Sequence, residues 1–334
     1  MTDATHEANR LAAVFGGSGF LGRHIVAALA REGWRVRVAV RRPNLASFLM
    51  PIGGVGQIQA VQANLRFPAS ISAAVEGASA VVNATGLQVE KGRQTFHAVH
   101  VDGAEALSRA ATGAGVAGYV HISGIGADAG SASPYIASKG QGEQATLAAY
   151  PAATILRPSV VFGPEDDFFN RFAALARYLP ALPLLGGGDA RLQPVYVGDI
   201  ARAAAAALSG PPNRAAVYEL GGPRVMTLRE VASLTLSAID RRRALIGLPL
   251  GPSRWIAASS QLARRATFGL FPNLLTTTRG QIDLLATDNV VSPEAESEGR
   301  VLRGLGIEPQ APEAIVPGYL VRFRKTGQYE LQRS

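Results

Sequence analysis

Apolar residues along the first half of the chain fall in short runs that alternate with polar or alanine-rich stretches. LAAVF at 11–15 ends in GGSGFLG, and from Arg23 to Arg31 the residues Ile25, Val26 and Leu29 recur at helical spacing. The order is strand, tight glycine turn, helix. RVRVAV at 35–40 reads as a second strand, followed by GQIQAV near 56–61, SAVVNAT at 79–85, AGYVHIS at 117–123 and AATILR at 152–157, with helical segments between them. These runs read as buried on both faces, as expected of parallel strands covered by helices on both sides. The pattern predicts an α/β doubly wound parallel sheet, a Rossmann fold, over residues 1–160.

The first turn carries chemistry. In Gly16-Gly17-Ser18-Gly19-Phe20-Leu21-Gly22, small residues stand where the backbone turns sharply and approaches a diphosphate, and Gly22 lets the helix pack closely on the sheet. Backbone amides at the helix start then face the anion. A glycine string alone is a weak signal, but its place between a strand and a helix points to a dinucleotide. Residues after the second strand meet the adenosine ribose, where an acid would hold a free 2′-hydroxyl; here the strand ends in Arg41-Arg42-Pro43. Two guanidinium groups suit a 2′-phosphate, so NADPH is expected over NADH.

Ser133-Pro134-Tyr135-Ile136-Ala137-Ser138-Lys139 opens a predicted helix after the fifth strand, with Tyr135 and Lys139 four apart and on one face. An ammonium beside a phenol favours the phenolate and eases proton transfer at a carbonyl or alcohol. The same lysine can reach the ribose hydroxyls. Ser123, at the end of the fifth strand, can orient a substrate oxygen. The alternative is that Tyr135 packs and Lys139 is solvated; their place in the fold favours a cofactor-facing pair, and turnover is a separate question.

Past Pro158 the regularity fades. FGPEDDFFNRFAALARYL predicts an amphipathic helix, PALPLLGGGDARLQP a turn-rich stretch, and VYVGDIARAAAAAL a short strand leading into a helix capped by Asp199. VYEL at 217–220 with MTLREVASLTLSAI repeats the strand-to-helix order. Residues 161–334 are expected to complete the core and form a smaller C-terminal lobe over the nicotinamide end of the cofactor, because ligands in this architecture lie beyond the carboxyl ends of the strands.

Composition narrows the classes. With 334 residues, 47% of them hydrophobic, the chain can bury a large core, and without cysteine it has no disulfide, thiolate metal site or cysteine nucleophile. The five histidines lie within the first 121 residues and form no cluster; His97 and His100 can share a helical face but have no further ligand at close spacing, so no metal is expected. MTDATHEANR lacks the pattern of a signal peptide, and no apolar stretch reaches bilayer-spanning length. A formal charge of +8 favours an anionic partner, whether a phosphate-bearing ligand, an acidic protein or a lipid surface. No recognition motif accompanies it, which argues against nucleic acid.

GGSGFLG, the YIASK segment and ILRPSVVFGPED together resemble the extended or atypical branch of the short-chain dehydrogenase/reductase superfamily, the NAD-dependent epimerase/dehydratase type. VVFGPEDDFFNRFA at 160–173, LQPVYVGDIARA at 192–203, YELGGPRVMTLREV at 218–231, TTTRGQIDLLATDNVVS, GLGIEP and IVPGYLVRFRKTGQY carry a narrower likeness over nearly the full length. The whole chain resembles the accessory subunit 9 family of the alpha subcomplex of respiratory complex I, in a bacterial form. That likeness implies a bound NADPH retained mainly to stabilise the fold. It also implies complex I subunits as partners, near the quinone-entry region, with peripheral attachment on the cytoplasmic side of the inner (plasma) membrane. On the same analogy Gly16, Gly19 and Gly22 hold the diphosphate, with Phe20 and Leu21 in the same turn, and Arg41 with Arg42 meets the 2′-phosphate. Asn64 stands where many relatives have an aspartate near the adenine, Thr85 and Gly86 border the cofactor, and Pro158 lies beside the nicotinamide. Tyr135 and Lys139 match the superfamily's catalytic pair. Ser123 is an approximate match, because the stretch from it to Tyr135 is shorter than in sugar epimerases, which leaves little room for a nucleotide sugar.

RRRALIGLPLGPSRWIAASSQLARRATFGLFPNLL at 241–275 mixes Arg241, Arg242, Arg243, Arg254, Arg264 and Arg265 with Trp255, Phe268, Leu270 and Phe271. It reads either as a surface for anionic lipid or a partner protein, or as a helix covering its own core. The tail from Ala314 is expected to cross back over the smaller lobe or to touch a neighbour. Two functional readings follow. The first is a cofactor-containing accessory subunit of the respiratory NADH:quinone oxidoreductase. The second is an NADPH-dependent oxidoreductase acting on a quinone-pathway intermediate or another apolar carbonyl or alcohol through Ser123, Tyr135 and Lys139.

Overall fold

The computed structural model describes residues 10–210, 216–249, 251, 288–325 and 327. Two compact units emerge. The first comprises the described residues up to Pro158, those within Val197–Leu220, and Ser292–Glu308; the second comprises those within Ser159–Tyr196, within Gly221–Val291, and from Pro309 onward.

The first unit is built on β1 (Leu11–Phe15), α1 (Phe20–Arg31), β2 (Arg35–Val40), β3 (Ile58–Gln62), α2 (Pro68–Val75), β4 (Ala80–Asn83), α3 (Asp102–Gly113), β5 (Gly118–Ile122), α4 (Pro134–Ala149), β6 (Thr154–Pro158), α5 (Val197–Ser209) and β7 (Ala216–Leu220). The seven strands form one sheet in the order β7-β6-β5-β4-β1-β2-β3. Every pairing is parallel, Val14 lying opposite Val38 on one side and Val82 on the other. The chain runs outward from β1 to β3 and then returns to β4 on the far side of β1, so a crevice opens at the carboxyl ends of β1 and β4. α1 packs against α5, and α2, α3 and α4 pack in a row. Phe15, Ile71, Val81, Leu107 and Ile155 join the fully buried core; each is worth about 1.5–3 kcal/mol in apolar burial.

All seven strands sit where the apolar runs place them, to within a few residues. α5 begins at Val197, so Asp199 lies in its first turn rather than at its cap, and its carboxylate accepts from Arg202 Nη2 at 2.7 Å.

In the second unit, Phe162, Phe169, Leu182, Val231, Leu236, Val316 and Leu320 make a separate core. The helix Phe169–Tyr178 lies within the stretch predicted for it. The helix Leu228–Ala238 starts at a reciprocal cap in which the Thr227 side chain accepts from the Glu230 amide while the Glu230 carboxylate accepts from the Thr227 amide. The stretch read as turns contains the strand Ala181–Leu185, which pairs in parallel with Ala244–Leu248. Pro183 and Gly247 interrupt the two runs and read as turn residues, so only the pairing reveals the strands. The tail forms the helix Pro312–Leu320 and a turn of 3-10 helix, Val321–Phe323, with Val316 and Leu320 fully buried. Its described part packs within its own unit: Tyr319 donates to Asp166 Oδ2 at 2.6 Å, and Arg324 donates to the Ala238 carbonyl at 3.0 Å. Arg241 and Arg243 likewise donate to the carbonyls of Phe323 and Ala176, at 3.2 and 3.0 Å. Those two side chains bind their own unit's backbone. Arg254, Trp255, Arg264, Arg265, Phe268, Leu270 and Phe271 lie outside the described residues. Among the described residues no helix is long and apolar enough to cross a membrane.

Candidate functional site

The glycine turn follows β1 directly. Gly16 adopts φ +77°, its amide donates to the Ala39 carbonyl at 3.2 Å, and its own carbonyl accepts from Gly19 at 2.9 Å. A Cβ at Gly16 would lie 2.8 Å from the Ala84 carbonyl oxygen, and one at Gly22 would run into the Gly16 carbonyl. The turn is thus clamped between β4 and the first turn of α1, which only glycine allows. Gly19 precedes α1 with extended backbone and no side-chain cap, and no acid occupies the first turn. The leading amides of α1 therefore retain donors for an anion. Phe20 packs edge-on to His24, at 5.9 Å between ring centres, and Leu21 is half-buried. Arg41 and Arg42 are exposed immediately beyond β2. Asn64, after β3, spends its side-chain carbonyl on the Arg66 amide at 3.2 Å.

At the end of β4, the Asn83 side-chain carbonyl accepts from the Thr85 amide at 3.1 Å. Gly86 follows; a Cβ there would sit 3.8 Å from Lys139 Nζ, so the loop backbone and the ammonium are neighbours. Lys139, one turn beyond Tyr135 on α4, donates to the Ile122 carbonyl at 3.4 Å. Ser123 follows β5 directly, its amide bonded to the Leu156 carbonyl at 2.8 Å and its buried hydroxyl without a partner among the described residues. The Ile125 amide bonds the Pro158 carbonyl at 3.0 Å. Thr85, Gly86, Ser123, Lys139 and Pro158 thus gather at the carboxyl ends of β4, β5 and β6.

The Tyr135 ring is held edge-on by Phe96 at 5.5 Å and His100 at 5.9 Å. Burial pushes its phenol pKa up. The expected depression of that pKa by Lys139 is therefore not what the environment produces: desolvation of the phenolate dominates, and the group stays a proton donor. Burial lowers Lys139 to about 8, and the Glu143 carboxylate one turn away works in the opposite direction.

Several members of this neighbourhood are invisible in the sequence. His100 lies in a π turn, His97–Val101, that leads into α3. Burial first, and then the Lys139 charge, hold it down to about 3, so it is neutral. Its Nε2 accepts from the Leu87 amide at 2.9 Å, which places its proton on Nδ1, facing Ser138 Oγ at 2.9 Å. Ser138 in turn donates to the Tyr135 carbonyl at 2.8 Å. One side chain thereby ties the loop after β4 to the first turn of α4. His121, also held to about 3 by burial and Lys139, faces Asn83 Nδ2 at 3.3 Å. Glu143 receives a bidentate pair of bonds from Arg157, at 2.9 and 2.6 Å, and Arg157 also lies 3.8 Å from Glu219. Of these only Glu143, four residues after Lys139, left a local signal. Among the described residues no cluster of three acidic or histidine side chains is suited to a metal.

The family model for the NAD dependent epimerase/dehydratase family matches residues 12–221, which span the glycine turn, Tyr135 and Lys139. The chain belongs to that family. Within it, the chain is 33% identical over 95% of its length to the mitochondrial NADH dehydrogenase [ubiquinone] 1 alpha subcomplex subunit 9 of Arabidopsis thaliana, covering 79% of that protein. It is therefore homologous to the accessory subunits of complex I. It is also 36% identical to a ceramide reductase of Caulobacter vibrioides, over 58% of this chain and 60% of that one. The solved triphenylmethane reductase of Citrobacter sp., complexed with NADP(H), shares the fold at a TM-score of 0.70 and 17% identity, over 92% of this chain and 99% of that one. This epimerase/dehydratase family member is thus a protein of the NAD(P)-binding Rossmann fold, related both to complex I accessory subunits and to catalytic members.

Proposed function

We propose that the protein is an NADPH-dependent oxidoreductase acting on an apolar carbonyl or alcohol, such as a quinone-pathway intermediate. The observation that carries this reading is the buried Ser123 hydroxyl, unpartnered among the described residues, beside the half-buried ammonium of Lys139 on the helix that carries the protonated phenol of Tyr135. A buried polar atom without a partner is costly in a purely structural setting and useful where a substrate oxygen arrives.

The groove fits a dinucleotide. The α1 amides receive a diphosphate, Gly16, Gly19 and Gly22 leave room for it, Phe20 and Leu21 carry the turn into the helix, and Arg41 with Arg42 receives the additional 2′-phosphate. Asn64 stands on the adenine side, Thr85 and Gly86 border the bound chain, Lys139 holds ribose hydroxyls, and Pro158 lies beside the nicotinamide. When bound, NADPH supplies the hydride. Ser123 donates a hydrogen bond to the carbonyl oxygen, Tyr135 passes its phenolic proton to that oxygen, and the Lys139 charge stabilises the phenolate left behind. The similarity to a protein named as a ceramide reductase supports an apolar substrate. In this reading Tyr135→Phe abolishes substrate-dependent oxidation of NADPH while the protein still retains the cofactor. Unchanged turnover in that variant would remove Tyr135 from the chemistry.

A second reading is supported by the near full-length identity to complex I subunits. Here the protein is an accessory subunit that holds NADPH structurally at the junction of the peripheral arm and the membrane, on the cytoplasmic face. Comigration with complex I after mild detergent extraction supports it, and migration as a free protein counts against it.

A further inference from the structure

Between β2 and β3 the chain forms a 3-10 helical segment, Pro43–Ile52, of sequence PNLASFLMPI. Its inward face is complete with Ala46 and Leu49, both fully buried. The other large apolar side chains point outward: Leu45 is 61% exposed, Phe48 46%, Met50 37% and Ile52 39%, and Val55 in the following turn is fully exposed. Five large hydrophobic side chains stand in solvent within eleven residues, a local concentration of exposed apolar surface of the kind that marks a contact surface.

The charges around it are predominantly positive. The Arg23 guanidinium lies 5.0 Å over the Phe48 ring. Exposed Arg41 and Arg42 lead into the segment. At its other end the Gln57 side chain donates to the carbonyls of Ala30 and Trp34, at 2.7 and 3.0 Å, which pins the turn beside exposed Arg31 and Arg35. From residue 20 to residue 75 the chain carries seven arginines and a single acid, Glu32, whose carboxylate accepts from Ser209 at 3.2 Å.

We propose that this segment is a membrane-docking element that seats Leu45, Phe48, Met50, Ile52 and Val55 in the acyl boundary of an anionic bilayer while Arg31 and Arg35 meet lipid phosphates and Arg41 with Arg42 stays with the cofactor. Apolar side chains ringed by arginine match the layered chemistry of such an interface, where burial and headgroup attraction add. A second copy of the chain is a poor occupant, since the same face would set arginines against arginines. The docking does not depend on the proposed reaction, and Tyr135→Phe protein is expected to bind vesicles as the wild type does.

The test uses purified full-length protein sedimented with phosphatidylcholine vesicles, with and without phosphatidylglycerol. Wild type should bind the anionic vesicles, more weakly as salt is raised, and should bind phosphatidylcholine alone poorly. The double variant Leu45→Glu/Phe48→Glu should lose about tenfold or more in partitioning, and Ile52→Glu should also weaken it, with melting temperature and NADPH retention unchanged. Equal binding by wild type and the double variant would overturn the proposal and move lipid contact to another surface. Failure of wild type to bind anionic vesicles would do the same, as would a change in native mass in the variant with vesicle binding intact, which would point to a second copy of the chain on this face.

Discussion

Replacing Arg157 with methionine should destabilise the first unit by about 3 kcal/mol, the lower part of the 3–5 kcal/mol range for breaking a buried ion pair. The Glu143 side chain is 6% exposed and takes both of its strong bonds from the Arg157 guanidinium, at 2.9 and 2.6 Å. Methionine keeps much of the apolar stem but leaves the carboxylate without its donors. Two features hold the cost below the top of the range: Arg157 is itself 24% exposed, and the Lys139 ammonium close to Glu143 partly compensates the charge. Glu219 loses less, because it keeps the Ser292 amide at 2.7 Å. For a unit of this size about 3 kcal/mol corresponds to a fall in Tm of roughly 6–12 °C. Urea unfolding followed by circular dichroism reads the difference, and the double variant Glu143→Leu/Arg157→Met should regain most of the loss because no buried charge is left behind. A single-variant loss under about 1 kcal/mol, the worth of a surface pair, would refute the reasoning. So would a double variant no more stable than the single.

Gly22→Ala should cost about 1–3 kcal/mol and weaken retention of NADPH, since the added Cβ meets the Gly16 carbonyl and one of the two must move; thermal melts with and without cofactor check both effects. His100 and His121 are held near 3 in the folded chain against an ordinary value of 6.5, so as pH falls below about 6.5 the unfolded chain takes up protons that the folded one refuses. Stability should then drop by about 1.4 kcal/mol per pH unit for each histidine, and His100→Asn should remove one share of that slope in urea titrations. In Arg41→Ala the preference for NADPH over NADH should narrow in calorimetry, and equal affinities in the wild type would defeat the 2′-phosphate assignment. Lys139 titrates near 8, so kcat/KM for reduction should fall as pH rises through about 8, where the ammonium is lost. Folding stability should move the other way, rising from about 8 toward 10.5 because the unfolded chain still holds a proton there that the folded chain has shed.

The sequence by itself determined the doubly wound sheet, the glycine turn and the Tyr135–Lys139 face, because each is written in consecutive residues: apolar runs bounded by turn chemistry, or side chains one helical turn apart. Only the tertiary structure decided that the Tyr135 phenol is held protonated by burial, that neutral His100 bridges the Leu87 amide and Ser138, and that Arg157 neutralises Glu143. The pairing of Ala181–Leu185 with Ala244–Leu248 and the Tyr319 bond to Asp166 belong to the same class. So does the exposure of Leu45 and Phe48 beside the fully buried Ala46 and Leu49. The physical reason is common to all of them. Desolvation and long-range partners depend on which elements the topology brings together, and residues separated by many positions in the chain carry no local mark of the neighbour that will set their charge, their hydrogen bonds or their exposure.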